Sequence, residues 1–367
     1  MSAAPGLASW LRLTLTPGLG ASTLRKLLRQ FGLPEIVLEQ RRELGAVLPP
    51  SVLHALYSAQ VEEAVGAALR WLAEPGNAII TLADDTYPRQ LLEIADPPSL
   101  LYTRGRAALL QRDCLAIVGS RNATVQGEEN ARRFARTLSD AGLTIVSGLA
   151  TGIDAAAHRG GLAGASATIA VLGTGIDIIY PKRNADLAAE IAAHGLLVSE
   201  FPLGTGPQAA NFPRRNRLIS GLAQGCLVVE AAPSSGSLIT ARAAAEQGRE
   251  VFAIPGSIHS PLARGCHALI KSGAKLVEAA EDVLAELSGF RHSGSASTTV
   301  EASTASPDLP GLLAHMGHDP VDVDSLCARA GIPAEQVASE LLRLELEGRV
   351  AVLPGGLYQR VQKAAPR

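Results

Sequence analysis

Cysteine is scarce in this chain, and the four present, Cys114, Cys226, Cys266 and Cys327, are widely separated. With no CxxC pair and no short Cys/His spacing, neither a disulfide framework nor a zinc site is indicated. The four read as small buried hydrophobes in a reducing compartment. No apolar run reaches the roughly 18 residues of a membrane span, and the opening MSAAPGLASW lacks the charged-then-apolar order of a secretion signal. A cytoplasmic location is the expectation. Aromatic residues make up only 4% of the chain, too few for a long base-stacking platform. An excess of one charge is lacking too: 33 Lys and Arg against 35 Asp and Glu leave a net −2. Any nucleic-acid site must therefore be a local patch.

Signature loops of nucleotide enzymes are also missing. Val118-Gly119-Ser120-Arg121 does not continue as G-x-G-x-x-G, and Gly173-x-Gly175 meets Ile178 where a third glycine would stand. No Gly-Lys-Ser/Thr occurs, which excludes an ATP-binding P-loop, and no G-x-S-x-G marks a hydrolase elbow.

What is present implies two or three domains, since 367 residues exceed one compact core and 47% hydrophobic content is incompatible with wholesale disorder. Residues 1–75 read as helical, with runs Leu7–Thr16 and Ala21–Gln30 flanking Pro17-Gly18-Leu19-Gly20. That hairpin is either an ordinary tight turn or a phosphate holder backed by Arg25, Lys26 and Arg29. In residues 76–288, Ile79–Leu82 reads as a strand and Asp96–Tyr102 as a turn feeding another. The apolar runs Leu115–Val118, Thr144–Val146, Ala167–Leu172, Leu196–Val198, Cys226–Val229, Val251–Ala253 and Lys275–Val277 then alternate with Ala-rich helical stretches. Continuous apolar strands with helix-length spacers specify an α/β fold with a Rossmann-like, doubly wound parallel sheet, whose ligand crevice lies at the carboxyl ends of the strands. Residues 289–308, rich in Ser, Thr and Ala, read as a flexible linker. Residues 309–367 read as three helices (Leu309–His315, Val323–Ala330, Pro333–Glu347) and a two-stranded wing turning at Pro354-Gly355-Gly356, the pattern of a winged helix. Its third helix is acidic, with Glu335, Glu340, Glu345 and Glu347, so contact with protein rather than duplex phosphate is expected.

Three turns at strand ends suit phosphate: Gly119-Ser120-Arg121, Ser147-Gly148-Leu149 and Ser234 to Thr240, each offering backbone donors or hydroxyls at a helix start. Helix capping explains any one of them singly. Beside them stands Asn211-Phe212-Pro213-Arg214-Arg215-Asn216-Arg217, one aromatic ring and three guanidinium groups, which suits the backbone and one or two bases of single-stranded nucleic acid. Asp154 and His158, one helical turn apart, read either as an acid/base or metal pair or, with no third ligand or nucleophile in company, as Asp154 bonding loop N–H groups and His158 packed locally. Glu200 and Glu230 close two strands near the crevice and read either as catalytic carboxylates or, the expectation here, as counter-charges to neighbouring arginines.

These motifs, followed by Tyr180-Pro181-x-x-Asn184, Ser199-Glu200-Phe201-Pro202, Ser235-Gly236-Ser237-Leu238-Ile239-Thr240-Ala241 and Pro255-Gly256-Ser257-Ile258, resemble the DNA-processing protein A (DprA/Smf) family over about 140 residues. The resemblance implies an N-terminal SAM/helix-hairpin-helix-like domain and a C-terminal winged helix around the sheet. It implies a non-enzymatic protein without cofactor or metal that binds incoming single-stranded DNA in natural transformation, protects it, and loads RecA. By resemblance the DNA site comprises Gly119, Ser120, Arg121, Gly148, Lys182, Asn211, Phe212, Arg214, Arg215, Asn216, Arg217, Ser235, Gly236, Ser237 and Thr240. Self-association as a homodimer would use His267, Ile270 and Leu276, and RecA the helix Ile239–Gln247. The rival is a phosphoribohydrolase-like nucleotide enzyme, which needs a carboxylate in the glycine-rich loop, whereas Ser235-Gly236-Ser237-Leu238-Ile239-Thr240 contains none.

Overall fold

A computed structural model describes residues 6–287, 311–316 and 320–361. The linker expected at 289–308 lies outside the described residues. Six short helices open the chain: α1 (Leu7–Leu15), α2 (Ala21–Phe31), α3 (Pro34–Glu39), α4 (Arg41–Val47), α5 (Pro50–Leu56) and α6 (Ala59–Leu72). Leu13 and Leu27, Leu44 and Leu56 from α2, α4 and α5 make a core of their own. Other residues of α1 and α6, among them Leu11, Val65 and Trp71, pack on Ile79, Leu100 and Tyr102 of the sheet. The helical region is thereby anchored to the sheet.

The main sheet has nine strands in the order β1-β2-β6-β5-β4-β3-β7-β8-β9. They are β1 (Asn77–Thr81), β2 (Leu100–Gly105), β3 (Cys114–Val118), β4 (Thr144–Ser147), β5 (Thr168–Val171), β6 (Leu196–Ser199), β7 (Gly225–Val228), β8 (Glu250–Ala253) and β9 (Lys275–Leu276). All pairings from β6 through β9 are parallel, while β1 and β2 form an antiparallel hairpin that pairs β2 antiparallel to β6. The sequence shows those two strands but not their direction, because the connection over residues 82–99, which carries α7 (Arg89–Leu92), is long enough for either direction. Strands β3 to β7 are buried at every residue, as strands covered by helices on both faces must be. The covering helices are α8 (Val125–Asp140), α9 (Ile153–Ala163), α10 (Ala185–His194), α11 (Asn211–Gly221), α12 (Ser237–Glu246), α13 (Arg264–Lys271) and α14 (Ala280–Glu286).

Chain order reverses at β3: successive strands build outward on one side through β4, β5 and β6, then on the other through β7, β8 and β9. Loops leaving β3 and β7 diverge there and open a crevice at their carboxyl ends.

In the C-terminal region, α15 (Val323–Ala330) and α16 (Ala334–Leu346) pack on strands β11 (Val350–Leu353) and β12 (Leu357–Arg360) around Leu326, Val337, Leu341 and Leu344. The expected two-stranded wing is three-stranded, because the two-residue β10 (Val321–Asp322) adds to β12; so short a strand leaves no alternation to detect. The described part of the expected first helix is a 3-10 turn, Gly311–Ala314. On α16, Arg343 is held by Glu340 and Glu347, which leaves a helix face dominated by acid.

Candidate nucleic-acid interface

A cavity of ≈ 690 Å³ opens at the β3/β7 crevice, lined by the loops after β3 and β7 and by one face of α11. Gly119 ends β3 where a Cβ would come within 2.6 Å of Ile153 and 2.9 Å of the Glu230 carbonyl, so only glycine lets the two loops meet. Ser120 is pinned by its N–H to the Glu230 carbonyl (2.8 Å), and the Thr151 hydroxyl holds the Arg121 carbonyl (2.9 Å). The backbone is fixed and the Arg121 side chain projects exposed at the cavity wall.

Arg121 stands 5.8 Å above the ring of Phe212, and Phe212 meets Tyr180 at 5.6 Å with their planes tilted by 44°. Phe212 lies over Gly173, where a Cβ would clash at 2.7 Å. Tyr180 is 45% exposed. One cation and two aromatic faces thus share the rim of the cavity, an arrangement chemically suited to a phosphate beside a base. Tyr180 belongs to the Tyr180-Pro181-x-x-Asn184 motif but not to the expected site residues; the cue to its role is its place after β5, at the same sheet edge as the other motifs.

The β7 loop supplies the opposite wall. Ser235 and Ser237 hydroxyls bond each other at 2.7 Å, the Ser237 N–H points to the Ser235 hydroxyl, and the Asn216 amide donates to the Gly236 carbonyl. Gly236 is the N-cap of α12 and has no side chain, so the helix start faces the cavity without a built-in anion. Thr240, buried, follows one turn later.

The arginine cluster divides in two, because α11 has two faces. Residues 212, 215, 216 and 219 face the cavity, whereas 214 and 217 face away. Arg215 is buried, and its Nη1 donates to the carbonyls of Gly148 (2.6 Å) and Val171. Burial pushes its pKa down to about 10, against the opposing pull of Asp154, so it stays charged at neutral pH. Arg217 binds Glu200, the Asp96 carboxylate at 3.4 Å and the Asp96 carbonyl. Arg214 reaches Glu200 at 3.4 Å over the Phe201 ring. The run expected to wall the site and clamp phosphate thus splits between two faces: Arg215 braces the floor of the crevice, while Arg217 ties down the Asp96 loop.

Asp154 accepts from the N–H groups of Gly148 (3.2 Å) and Ala150 (3.3 Å), and burial raises its pKa against the pull of Arg215. Thr168 donates its hydroxyl to the Ile145 carbonyl and therefore accepts from His158 Nδ1 (2.8 Å), leaving Nε2 to accept from Leu149 N–H (3.2 Å). Burial, with Arg215 and Arg159 nearby, lowers the His158 pKa to about 3. Both are local structural groups. Glu200 serves arginines as expected, but Glu230 does not: it accepts from the N–H (2.9 Å) and hydroxyl (2.6 Å) of Thr124 at the start of α8.

Lys182 is exposed two residues beyond Tyr180 and does not itself line the cavity; Asn184 fastens that loop by donating to the Leu149 and Ala150 carbonyls. Asn211 begins α11 beside the cavity without lining it, and Gly148 lies beneath it, where any Cβ would collide with Arg215. At the far sheet edge, His267 is bonded to the Gly256 carbonyl (3.0 Å), Ile270 packs on the core, and Leu276 is 49% exposed. Three of the four cysteines are buried, and burial pushes the thiols of Cys114, Cys226 and Cys266 up to about 12. Among the described residues, no helix is long and apolar enough to cross a membrane, and no three His, Cys, Asp or Glu gather as metal ligands.

Fold and site define a protein with a Rossmann-like parallel sheet, a cationic crevice at its switch point, a helical N-terminal region and a C-terminal winged helix. Residues 78–288 match the family model of the DNA recombination-mediator protein A, and residues 296–356 that of the DprA winged helix domain. The chain is 46% identical over 310 residues to Protein Smf of Escherichia coli, covering 82% of each, and 49% identical over 206 residues to the DNA processing protein DprA of Streptococcus pneumoniae, covering 56% of this chain and 73% of that protein. The solved S. pneumoniae protein superposes with a TM-score of 0.67 at 39% identity, covering 78% of this chain and 99% of the other. DNA processing protein A of Helicobacter pylori, solved for its single-stranded DNA binding mode, gives 0.52 at 30% identity, covering 57% of this chain and 95% of that one. The chain belongs to the DprA/Smf family of DNA-processing proteins.

Proposed function

We propose that this protein binds single-stranded DNA in the β3/β7 crevice and acts as a recombination mediator that protects the strand and delivers it to RecA. The observation that carries the reading is Arg121 held over the Phe212 ring, with Tyr180 beside it, above two helix-start turns. Arg121 and Lys182 grip phosphates, Phe212 and Tyr180 each take a base face, and the Ser120, Ser235 and Ser237 turns supply neutral donors. The single-stranded DNA binding described for the H. pylori relative supports the same ligand here. A binding rather than bond-breaking role is supported by the carboxylates nearest the crevice: Asp154 and Glu230 are both engaged by loop N–H groups, and the Ser234–Thr240 loop carries none.

Natural transformation, a homodimer through His267, Ile270 and Leu276, RecA contact along α12, and action in the cytoplasm are the finer parts of this proposal. A homodimer would join two crevices into one track and raise effective affinity. The test is a gel-shift comparison of single-stranded with duplex DNA, followed by RecA strand exchange on strands coated with a single-strand-binding protein. Preference for the single strand and faster exchange are expected. Equal affinity for duplex, or release of adenine from AMP, contradicts the reading.

A further inference from the structure

A second cavity, of ≈ 270 Å³, lies on the other side of the first turn of α11, where the α1–α2 hairpin meets β2 and the segment after β6. Leu15, Leu19, Leu24, Leu100 and Phe201 make the apolar part of its wall. Two residues of that lining, Ser99 and Tyr102, 6% and 2% exposed, carry buried hydroxyls with no hydrogen-bond partner among the described residues. Buried hydroxyls are almost always paired, so these two leave bonding capacity beside the cavity for the polar edge of a ligand.

The mouth of the cavity is built for an anion. Gly20, the N-cap of the 11-residue α2, has no side chain, and the N–H groups of Ala21, Ser22 and Thr23 have no acceptor among the described residues. Gly20 and Ala21 line the cavity beside Arg214, whose side chain is 51% exposed over Phe201. Glu200 is the one carboxylate in the lining, and Arg214 and Arg217 offset its charge. The cavity is slightly smaller than the about 300–1,000 Å³ of most ligand sites, so it suits a single base with the phosphate left at the mouth.

We propose that this cavity is a nucleotide subsite: a base enters against Leu19, Leu100 and Phe201, its edge bonds the Ser99 and Tyr102 hydroxyls, and its phosphate rests on the α2 N-terminus and Arg214. The proposal deepens the crevice reading and rests on it. Phe212 and Pro213 line the crevice and Arg214 lines this cavity, so a strand leaving one passes Arg214 to reach the other. The Pro17-Gly18-Leu19-Gly20 hairpin, unassigned by the crevice, acquires a role.

The ring of Trp71 meets that of Tyr102 edge-on at 5.7 Å, so tryptophan emission reports on the cavity directly. The full chain is titrated with a deoxynucleoside monophosphate and, separately, with oligothymidylates of increasing length. Gly20→Asp is the main variant: no atom lies within 4 Å of the added Cβ, and the extended backbone suits an aspartate cap, so the fold is kept while the carboxylate takes the N–H groups and repels phosphate. A saturable emission change is expected, weakened on the order of tenfold by Gly20→Asp and about fivefold by Tyr102→Phe, and unmoved by Arg121→Ala for the mononucleotide. A response only to oligonucleotides supports the subsite as part of the strand track, and a response only to the mononucleotide supports it as a site for free nucleotide. No emission change with either, or a change that Arg121→Ala abolishes and Gly20→Asp leaves intact, overturns the proposal. Arg121→Ala reads the crevice separately: if it leaves strand binding intact, the crevice reading fails, whatever the second cavity does.

Discussion

Arg215 donates from Nη1 to the Gly148 carbonyl at 2.6 Å, and its guanidinium fills the space a Cβ on Gly148 would need. This contact joins α11 to the loop after β4 and sets the floor of the crevice. Arg215→Met removes charge-assisted bonds and leaves Asp154 without its buried counter-charge, so a loss of about 3–5 kcal/mol in unfolding free energy is expected. Gly148→Ala should cost about 1–3 kcal/mol through overpacking. Urea unfolding of both variants measures this; unfolding midpoints like that of the parent protein would remove Arg215 from the structural role.

His158 makes stability depend on pH. Its folded pKa, about 3, lies below the ordinary 6.5, so between those values the unfolded chain binds the extra proton. The contribution is complete above about pH 6.5 and is lost as pH falls toward about 3, at up to roughly 1.4 kcal/mol per pH unit. Urea unfolding at a series of pH values is expected to show a steeper acid loss for the parent chain than for His158→Gln. Parallel slopes would show that the imidazole is not held neutral.

Arg217 separates a clamp from a brace. Its partners are Glu200 and the Asp96 loop, so Arg217→Ala leaves the buried Glu200 carboxylate only the half-exposed Arg214 and should lower stability by about 2–3 kcal/mol. The salt dependence of DNA binding should remain that of the parent. A shallower salt slope at unchanged stability would return Arg217 to the phosphates.

Phe212 and Tyr180 are expected to contribute by stacking. Phe212→Ala should weaken single-strand binding by about 1–3 kcal/mol with its salt slope intact, since no charge is removed. Fluorescence anisotropy of a labelled oligonucleotide gives both quantities, and a change in slope without loss of affinity would contradict the stacking role.

Much of this was legible in the chain. Runs such as Leu115–Val118 and Cys226–Val229 are apolar at every position because both sheet faces are covered, and their spacers dictate the parallel order that brings the glycine turns to one edge. The sorting of the arginines was not legible. Arg217 is committed to a carbonyl 121 residues away, and Arg215 to carbonyls 67 and 44 residues away, which no local pattern records. Helical phase alone separates positions 212, 215 and 216 from 214 and 217, but not which face meets the crevice. Glu230 was misread because its partner, Thr124, lies 106 residues earlier.

If Arg121 grips the sugar-phosphate chain at the crevice, the salt dependence of single-strand affinity must differ between the parent chain and Arg121→Ala. Weaker binding to every sequence alike is expected for the variant, with a log–log salt slope shallower by about 0.7, the value for one phosphate contact on a single strand. An unchanged affinity with an unchanged slope would contradict that grip.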